Sequence, residues 1–360
     1  MTETALYTTH APAISVGGTE RGELARDLLR LDIEESTEGL RTMVCRLHAI
    51  GPTSNAGDGD LQYLDGSVID FGSAITVDFG PPGDTHKIFD GTVSAIELCL
   101  EDGGSAHVAI YAEDALMGLR MTRRSKTYEQ SSDADVVAAV AREHGLGSSA
   151  DAPGPTYPVV QQWNQSDLAF LRDRAAMVQA ELWADGSTIH FATRSNRTAP
   201  AVTLVHGNGL LSASIRADVA HQRTAVTVSG YDFDTHETVE HEAGDSVIKR
   251  EISGGTTGID VLAKVFDSAV TMRTRDAPVN ADEAKSWAEA EMLRRARGFV
   301  TVEGLTAGTA QLTVGSKLKL ERAGVPFSGE GYYTTWVHHS YDRATGPRTR
   351  FMAERATVSS

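Results

Sequence analysis

The sequence predicts a mainly β chain with an α+β insert, and three observations carry that reading. Short alternating or apolar runs broken by glycine turns fill the stretch from Leu28 to about Arg124. The period becomes helical after Thr127, and strand-type runs return from Thr188 with one helix among them. At 360 residues the chain exceeds what one hydrophobic core usually organises, so two or three domains are expected.

In chain order, residues 42–47, 74–79 and 108–111 read as strands, with turns at Pro81-Pro82-Gly83-Asp84 and Glu101-Asp102-Gly103-Gly104. Ser131, Ser132 or Asp133 can cap a helix carrying Val136, Val137, Val140 and Ala141, and Gly145 can end it. After the proline-rich residues 151–158, Asn164 or Ser166 can cap a second helix with Leu168, Leu171, Ala175 and Val178 on one face. Strands follow at 188–191, 202–205 and 224–228. A helix at about 280–297 is then marked by Asn280 with Glu283, the stripe Trp287, Ala290, Leu293 and Ala296, the cations Arg294, Arg295 and Arg297, and Gly298. Residues 299–302, 317–320, 332–337 and 350–353 complete the strand set.

Composition excludes several classes of function. Apolar residues make up 41% and charged residues 23%, which is ordinary for a chain that folds. A net charge of −16 and an isoelectric point near 5.2 oppose nonspecific attraction to phosphate backbones or anionic lipid, so nucleic-acid or membrane binding is not expected as the main role. No run of about 18 apolar residues is present for membrane insertion, and residues 1–18 have neither the basic region nor the apolar stretch of an export signal, so a cytoplasmic protein is expected. Cys45 and Cys99 sit in apolar contexts and read as buried free thiols.

Candidate chemistry is sparse. His236, Glu237 and His241 approach a zinc-protease motif, but the second histidine comes one residue late for a shared helical face. Asp58, Gly59 and Asp60 suggest a calcium loop, yet Tyr63 and Ile69 occupy the positions that need glycine and glutamate. Gly207-Asn208-Gly209 reads as a tight hairpin rather than a dinucleotide loop, and His338 and His339 point to opposite faces of a strand. No catalytic, cofactor-binding or metal residues are assigned, and no enzyme activity is expected.

Three stretches resemble the baseplate hub proteins of contractile tails, that is, the phage late control D proteins and the hub part of valine-glycine-repeat spike proteins. Phe89-Asp90-Gly91-Thr92-Val93, leading into Val108-Ala109-Ile110-Tyr111-Ala112-Glu113-Asp114, is similar to the family's Phe-x-Gly-x-Val and following strand. Gln161-Gln162-Trp163-Asn164-Gln165-Ser166-Asp167-Leu168-Ala169-Phe170-Leu171 resembles its Gln-Tyr-x-Glu-Ser-Asp-x-x-Phe-Leu, with Trp163, Asn164 and Gln165 departing from the pattern. Val226-Thr227-Val228-Ser229-Gly230-Tyr231-Asp232 and, much later, Phe327-Ser328-Gly329-Glu330-Gly331-Tyr332-Tyr333-Thr334-Thr335-Trp336-Val337-His338-His339 carry the rest.

The resemblance implies two similar β-barrel domains plus a small helical insertion domain, with three chains forming a pseudo-sixfold ring as a homotrimer. It divides the chain into a first barrel at 1–124 with 195–225, an insertion domain at 125–194 and a second barrel at 226–360, the two barrels superposing strand for strand. The resemblance covers roughly residues 10 to 355, and its implied partners are a hexameric inner tube protein, a trimeric spike expected as a separate polypeptide because the chain stops at Ser360, and baseplate wedge proteins. The implied setting is cytoplasmic assembly into a phage tail or injection particle. Competing readings are a tail-tip cell-wall hydrolase and a monomeric carbohydrate-binding β protein.

Overall fold

The computed structural model describes residues 6–50, 61–81, 83–102, 104–266, 270–274 and 276–359. The first β unit opens with β1 (Ala13–Val16) and β2 (Thr19–Glu20), a hairpin turned by Gly17 and Gly18 at positive φ. Helix α1 (Gly22–Asp27) leads to β3 (Leu28–Ser36), β4 (Thr42–His48), β5 (Ala74–Phe79), β6 (His86–Cys99) and β7 (His107–Glu113). Alternation makes these strands: Met43, Cys45 and Leu47 on β4 and Ile75, Val77 and Phe79 on β5 face the core, and the residues between them do not. The order is β2-β1-β5-β6-β7-β4-β3, every neighbour antiparallel.

An insert follows α2 (Met117–Arg120): β8 (Arg123–Ser131), α3 (Asp133–Glu143), β9 (Gly147–Asp151), β10 (Tyr157–Ser166), α4 (Asp167–Val178), β11 (Ala180–Asp185) and β12 (Thr188–Thr193). Ser132 caps α3 in a capping box with Asp135, and Gly145 lies past its end at φ +68°. Ser166 rather than Asn164 caps α4, whose Leu168, Leu171, Ala175 and Val178 are all buried. The expectation of a helical insert is corrected, because β8 pairs with β10 and β9, β12 and β11 form a second small sheet. Polar residues such as Arg123, Lys126 and Gln161, with three nearby prolines, hide the alternation of β8 and β10.

The second β unit begins with β13 (Ala201–His206) and β14 (Gly209–Ala217). A side excursion then runs through β15 (Ala225–Asp232), β16 (Glu237–Ala243), α5 (Ser246–Lys249), β17 (Thr256–Thr257), α6 (Gly258–Phe266), β18 (Thr271–Arg273) and α7 (Ala281–Arg297). The unit resumes with β19 (Val300–Ala307), β20 (Lys317–Glu321), β21 (Gly329–Asp342), β22 (Gly346–Arg355) and β23 (Thr357–Val358). Six strands close a barrel in the order β21-β20-β13-β14-β19-β22, with β22 returning to β21.

Two expected pairings are corrected here. Strands of 195–225, expected to complete the first barrel, instead pair β13 with β20 and β14 with β19. Residues 226–273, expected in the second barrel, instead help form a separate sheet, β16-β15-β18, on which α7 packs. Nearness in sequence does not decide which sheet edge a strand joins. Gly230 lies inside β15, and a Cβ there would stand 2.0 Å from the Pro278 carbonyl oxygen.

Helix α7 starts as the sequence predicts, with Asn280 accepting from the Glu283 amide, while the Glu283 carboxylate accepts from the Val279 amide. Its most buried row is Ala284, Ala288, Met292 and Ala296. Trp287 is half-buried and touches both the core of the insert and the core under β15, so it joins two pieces rather than fastening α7 to a barrel. Trp287→Ala should cost about 3 kcal/mol, the low end for removing a large core side chain. A thermal melt unchanged within error would refute that placement.

The two β units repeat one another in detail. In the first, β3, β4, β7, β6 and β5 are consecutive antiparallel neighbours, and in the second so are β14, β19, β22, β21 and β20. Two irregularities fall at matching places, Leu28/Arg30 with Leu210/Ser212 and Val93/Ala95 with Thr334/Trp336, while a third, Val77/Asp78, is displaced from Leu318/Leu320. Registers match too, since Thr42 faces Glu34 and Glu113 as Thr301 faces Arg216 and Glu354. The first strand breaks the correspondence: β1 runs antiparallel to β5, whereas β13 runs parallel to β20. Strand order therefore corresponds for five strands of each unit and fails for one.

Candidate functional site

The candidate site is the junction between the two β units, because one long strand is shared there and a chain of buried charges runs through it. Along one edge, β21 pairs with β20 through Gly329, Tyr332 and Tyr333, then with β3 from Trp336 to Asp342. Its other edge carries β22. One strand thus belongs to the second barrel at its start and extends the first sheet at its end, which a 14-residue length allows.

Side chains across this seam are polar and paired. Trp336 Nε1 donates to Glu34 at 2.6 Å, and His338 Nε2 lies 3.0 Å from an Asp32 carboxylate oxygen. Burial raises the Asp32 carboxyl, but hydrogen bonds from His338 and Arg30 outweigh it and hold the group well below its ordinary range. His339 points the other way. Its Nδ1 lies 3.1 Å from Thr349 Oγ1 and its ring meets Phe79 edge-on at 5.8 Å. Burial, with the nearby Arg41 and His338 charges, lowers its pKa to about 3, so it is neutral at pH 7. The two imidazoles diverge as strand geometry requires.

A buried chain of ion pairs joins all three parts of the molecule. Arg197, from the link into β13, places Nη2 2.6 Å from Glu35 of β3 and Nη1 3.2 Å from Glu181 of β11. Arg41 also holds Glu35 at 2.6 Å, and Arg194 bridges Glu181 and Glu354 of β22. Tyr333 donates its hydroxyl to Glu181 at 2.8 Å, and burial and then that carboxylate push the phenol far above its usual range. The Arg197 guanidinium lies 4.4 Å over the Trp183 ring and that of Arg194 4.4 Å over Tyr333. Three arginines and three glutamates alternate, so the network is balanced. It can orient rigid pieces, but it presents no nucleophile beside a base.

None of the chemistry-bearing motifs converges on this seam apart from His338 and His339. His236 sits at a turn with φ +59°, while His241 lies in β16 opposite Val228. Gly207 and Gly209 turn between β13 and β14, whose short pairing is parallel, so the expected hairpin is corrected to a tight parallel turn. Asp58, Gly59 and Asp60 lie outside the described residues. Among the described residues, no group of three histidine, cysteine, aspartate or glutamate side chains could hold a metal ion, and no helix is long and apolar enough to cross a membrane. Cys45 is buried and Cys99 half-buried, both free. The ion chain itself went unseen, since Glu35, Glu181, Arg197 and Glu354 have no common spacing. A glutamate within the apolar alternation of β3 was the one available sign.

A sequence model of the family described as "Alg8 N-terminal domain" matches residues 36–342. The chain belongs to that family. The description does not name the late control D proteins that the motifs resemble. No curated protein matches this family member. Among solved structures it is similar to the 43 kDa tail protein of prophage MuSo2 from Shewanella oneidensis, at 15% identity and TM-score 0.69, covering 96% of this chain and 98% of that one. It is likewise similar to a tail protein from Neisseria meningitidis MC58, at 13% identity and TM-score 0.67 over 96% of both chains. A third likeness is to an Escherichia coli component of the type VI secretion system described as similar to bacteriophage T4 tail proteins. There the identity is 13% and the TM-score 0.56, covering 96% of this chain and 77% of that one. The fold is therefore that of phage tail proteins and a secretion-system component.

Proposed function

We propose that the protein is the structural baseplate hub of a contractile injection system or phage tail, related to the late control D proteins, acting as a homotrimer without enzyme activity. The observation that carries this reading is the internal repeat. Two β units with the same five-strand order, matching registers in three of the four pairings and two matching bulges give one chain two copies of one surface, so three chains present six. Such a ring adapts a sixfold inner tube on one side to a threefold spike on the other. The balanced ion chain suits the role, because it holds the two units and the insert at one mutual angle. The tail-protein fold and the type VI likeness support it further. Baseplate wedge proteins would contact the outer face, and DNA is not a partner for a chain of charge −16.

Mixing the chain with an inner tube protein and a spike protein from the same genome tests the proposal. The expected product contains both partners and three copies of the chain, read by light scattering after sizing. A tube that binds the spike directly, or a chain that binds neither, overturns the reading.

A further inference from the structure

Strand repeats of this kind make unfilled positions visible. Within the chain, β3 of the first unit pairs with β21 of the second. The strand equivalent to β3 is β14, and the strand equivalent to β21 is β6. Beyond Val93, β6 pairs only with β7, and beyond Leu210, β14 pairs only with β19, among the described residues. The edges that are joined in one place are therefore both open in the other.

We infer that β14 of one copy pairs antiparallel with β6 of the next, repeating between chains the junction that β3 and β21 make within one. The number of copies in the resulting ring rests on the hub reading above, whereas the pairing rests on the repeat. Burial favours it. At the intrachain junction Leu31, Ile33, Glu35, Val337 and His339 are all buried. Their equivalents Ala213, Ile215, Ala217, Ile96 and Leu98 are exposed or half-exposed, and the adjoining Leu100 is 68% exposed. Apolar residues alternating along an open strand edge invite another chain, and here the repeat identifies which one.

Register and charge agree as well. Transferring the β3–β21 register sets Ile96 opposite Ala217, Glu97 opposite Arg216, Leu98 opposite Ile215 and Cys99 opposite Ser214. Opposite charges and apolar pairs thus face one another directly, which is what stabilises neighbouring strands. The Arg216 side chain is 71% exposed and pairs with Asp218 at 2.8 Å, so it can turn to a new carboxylate at little cost. Because the two edges differ, the contact is head-to-tail and must close into a ring or run on as a filament.

The test combines charge reversal with cross-linking, both read beside the mass in solution. Arg216→Glu or Glu97→Arg alone should weaken self-association about tenfold or more, and the two together should restore it. With Ser214→Cys, a short bis-maleimide should join position 214 of one chain to Cys99 of the next, in ladders ending at three chains. The same link in ladders running beyond three supports the pairing and overturns the trimer. Three copies with neither the link nor the charge-swap rescue overturn the pairing and leave the trimer standing. A chain that stays monomeric at micromolar concentration overturns both.

Discussion

Arg197→Ala is expected to destabilise the protein by about 3 to 5 kcal/mol, the range for removing one partner from a buried ion pair. The guanidinium is 5% exposed and is shared by Glu35 and Glu181, themselves 9% and 5% exposed. Its loss leaves two buried carboxylates facing each other, held by Arg41 on Glu35 and by Arg194 and the Tyr333 hydroxyl on Glu181. Those charges must then take up protons or admit water, and either loosens the seam. Because Glu35 belongs to the first β unit, Glu181 to the insert and Glu354 to the second unit, the effect should reach all three. Thermal melting should fall by several degrees, and limited proteolysis should release the insert before the barrel. Glu181→Gln added to Arg197→Met should recover part of the loss, since Arg41 still pairs with Glu35 and Arg194 with Glu354, so no buried charge is left unpaired. A melting point unchanged in Arg197→Ala would mean that the ion chain is a passive consequence of packing.

Much of the fold was legible because its strands obey simple alternation. Residues 42–47, 74–79 and 300–302 alternate between core and surface as their sequence suggests, and 350–353 alternate in the structure. The caps at Ser132, Ser166 and Asn280 were legible for a local reason, since an N-cap is settled within three residues. What stayed hidden was non-local. The partners of β13 and β14 lie about a hundred residues downstream, at β19 and β20, and nothing in residues 201–217 names them. The repeat was hidden for a related reason. Equivalent positions such as Glu34 and Arg216, or His339 and Leu98, differ in chemistry, so only pairing registers reveal them. Charged residues in the seam were misleading by themselves, because a buried glutamate is identified by partners from other segments and not by its neighbours.

Acidification should remove the stabilising contribution of His339, and the sign follows from its surroundings. The ordinary histidine value of 6.5 falls to about 3 in the folded chain, first because burial penalises the charged ring and then because Arg41 and His338 add positive charge nearby. The unfolded chain therefore binds a proton between these values that the folded chain refuses, so stability falls as pH drops below about 6.5. Each pH unit in that window costs about 1.4 kcal/mol, or about 2 kcal/mol on reaching pH 5. Asp114 acts in the opposite sense. Burial raises its carboxyl to about 6, despite hydrogen bonds from the Arg41 and Leu116 amides, so the folded state takes up its proton first as pH falls. The two effects offset each other below pH 6, and the wild-type melting curve alone cannot separate them. His339→Gln can, because it keeps a side chain able to meet Thr349 but removes the titration, while Asp114 is common to both proteins. At pH 7.5 the variant should be the less stable of the two, having lost the fitted ring against Phe79. That difference should shrink steadily from pH 6.5 downward, by about 2 kcal/mol at pH 5, and a difference constant across this range would show that His339 is not held neutral by the seam.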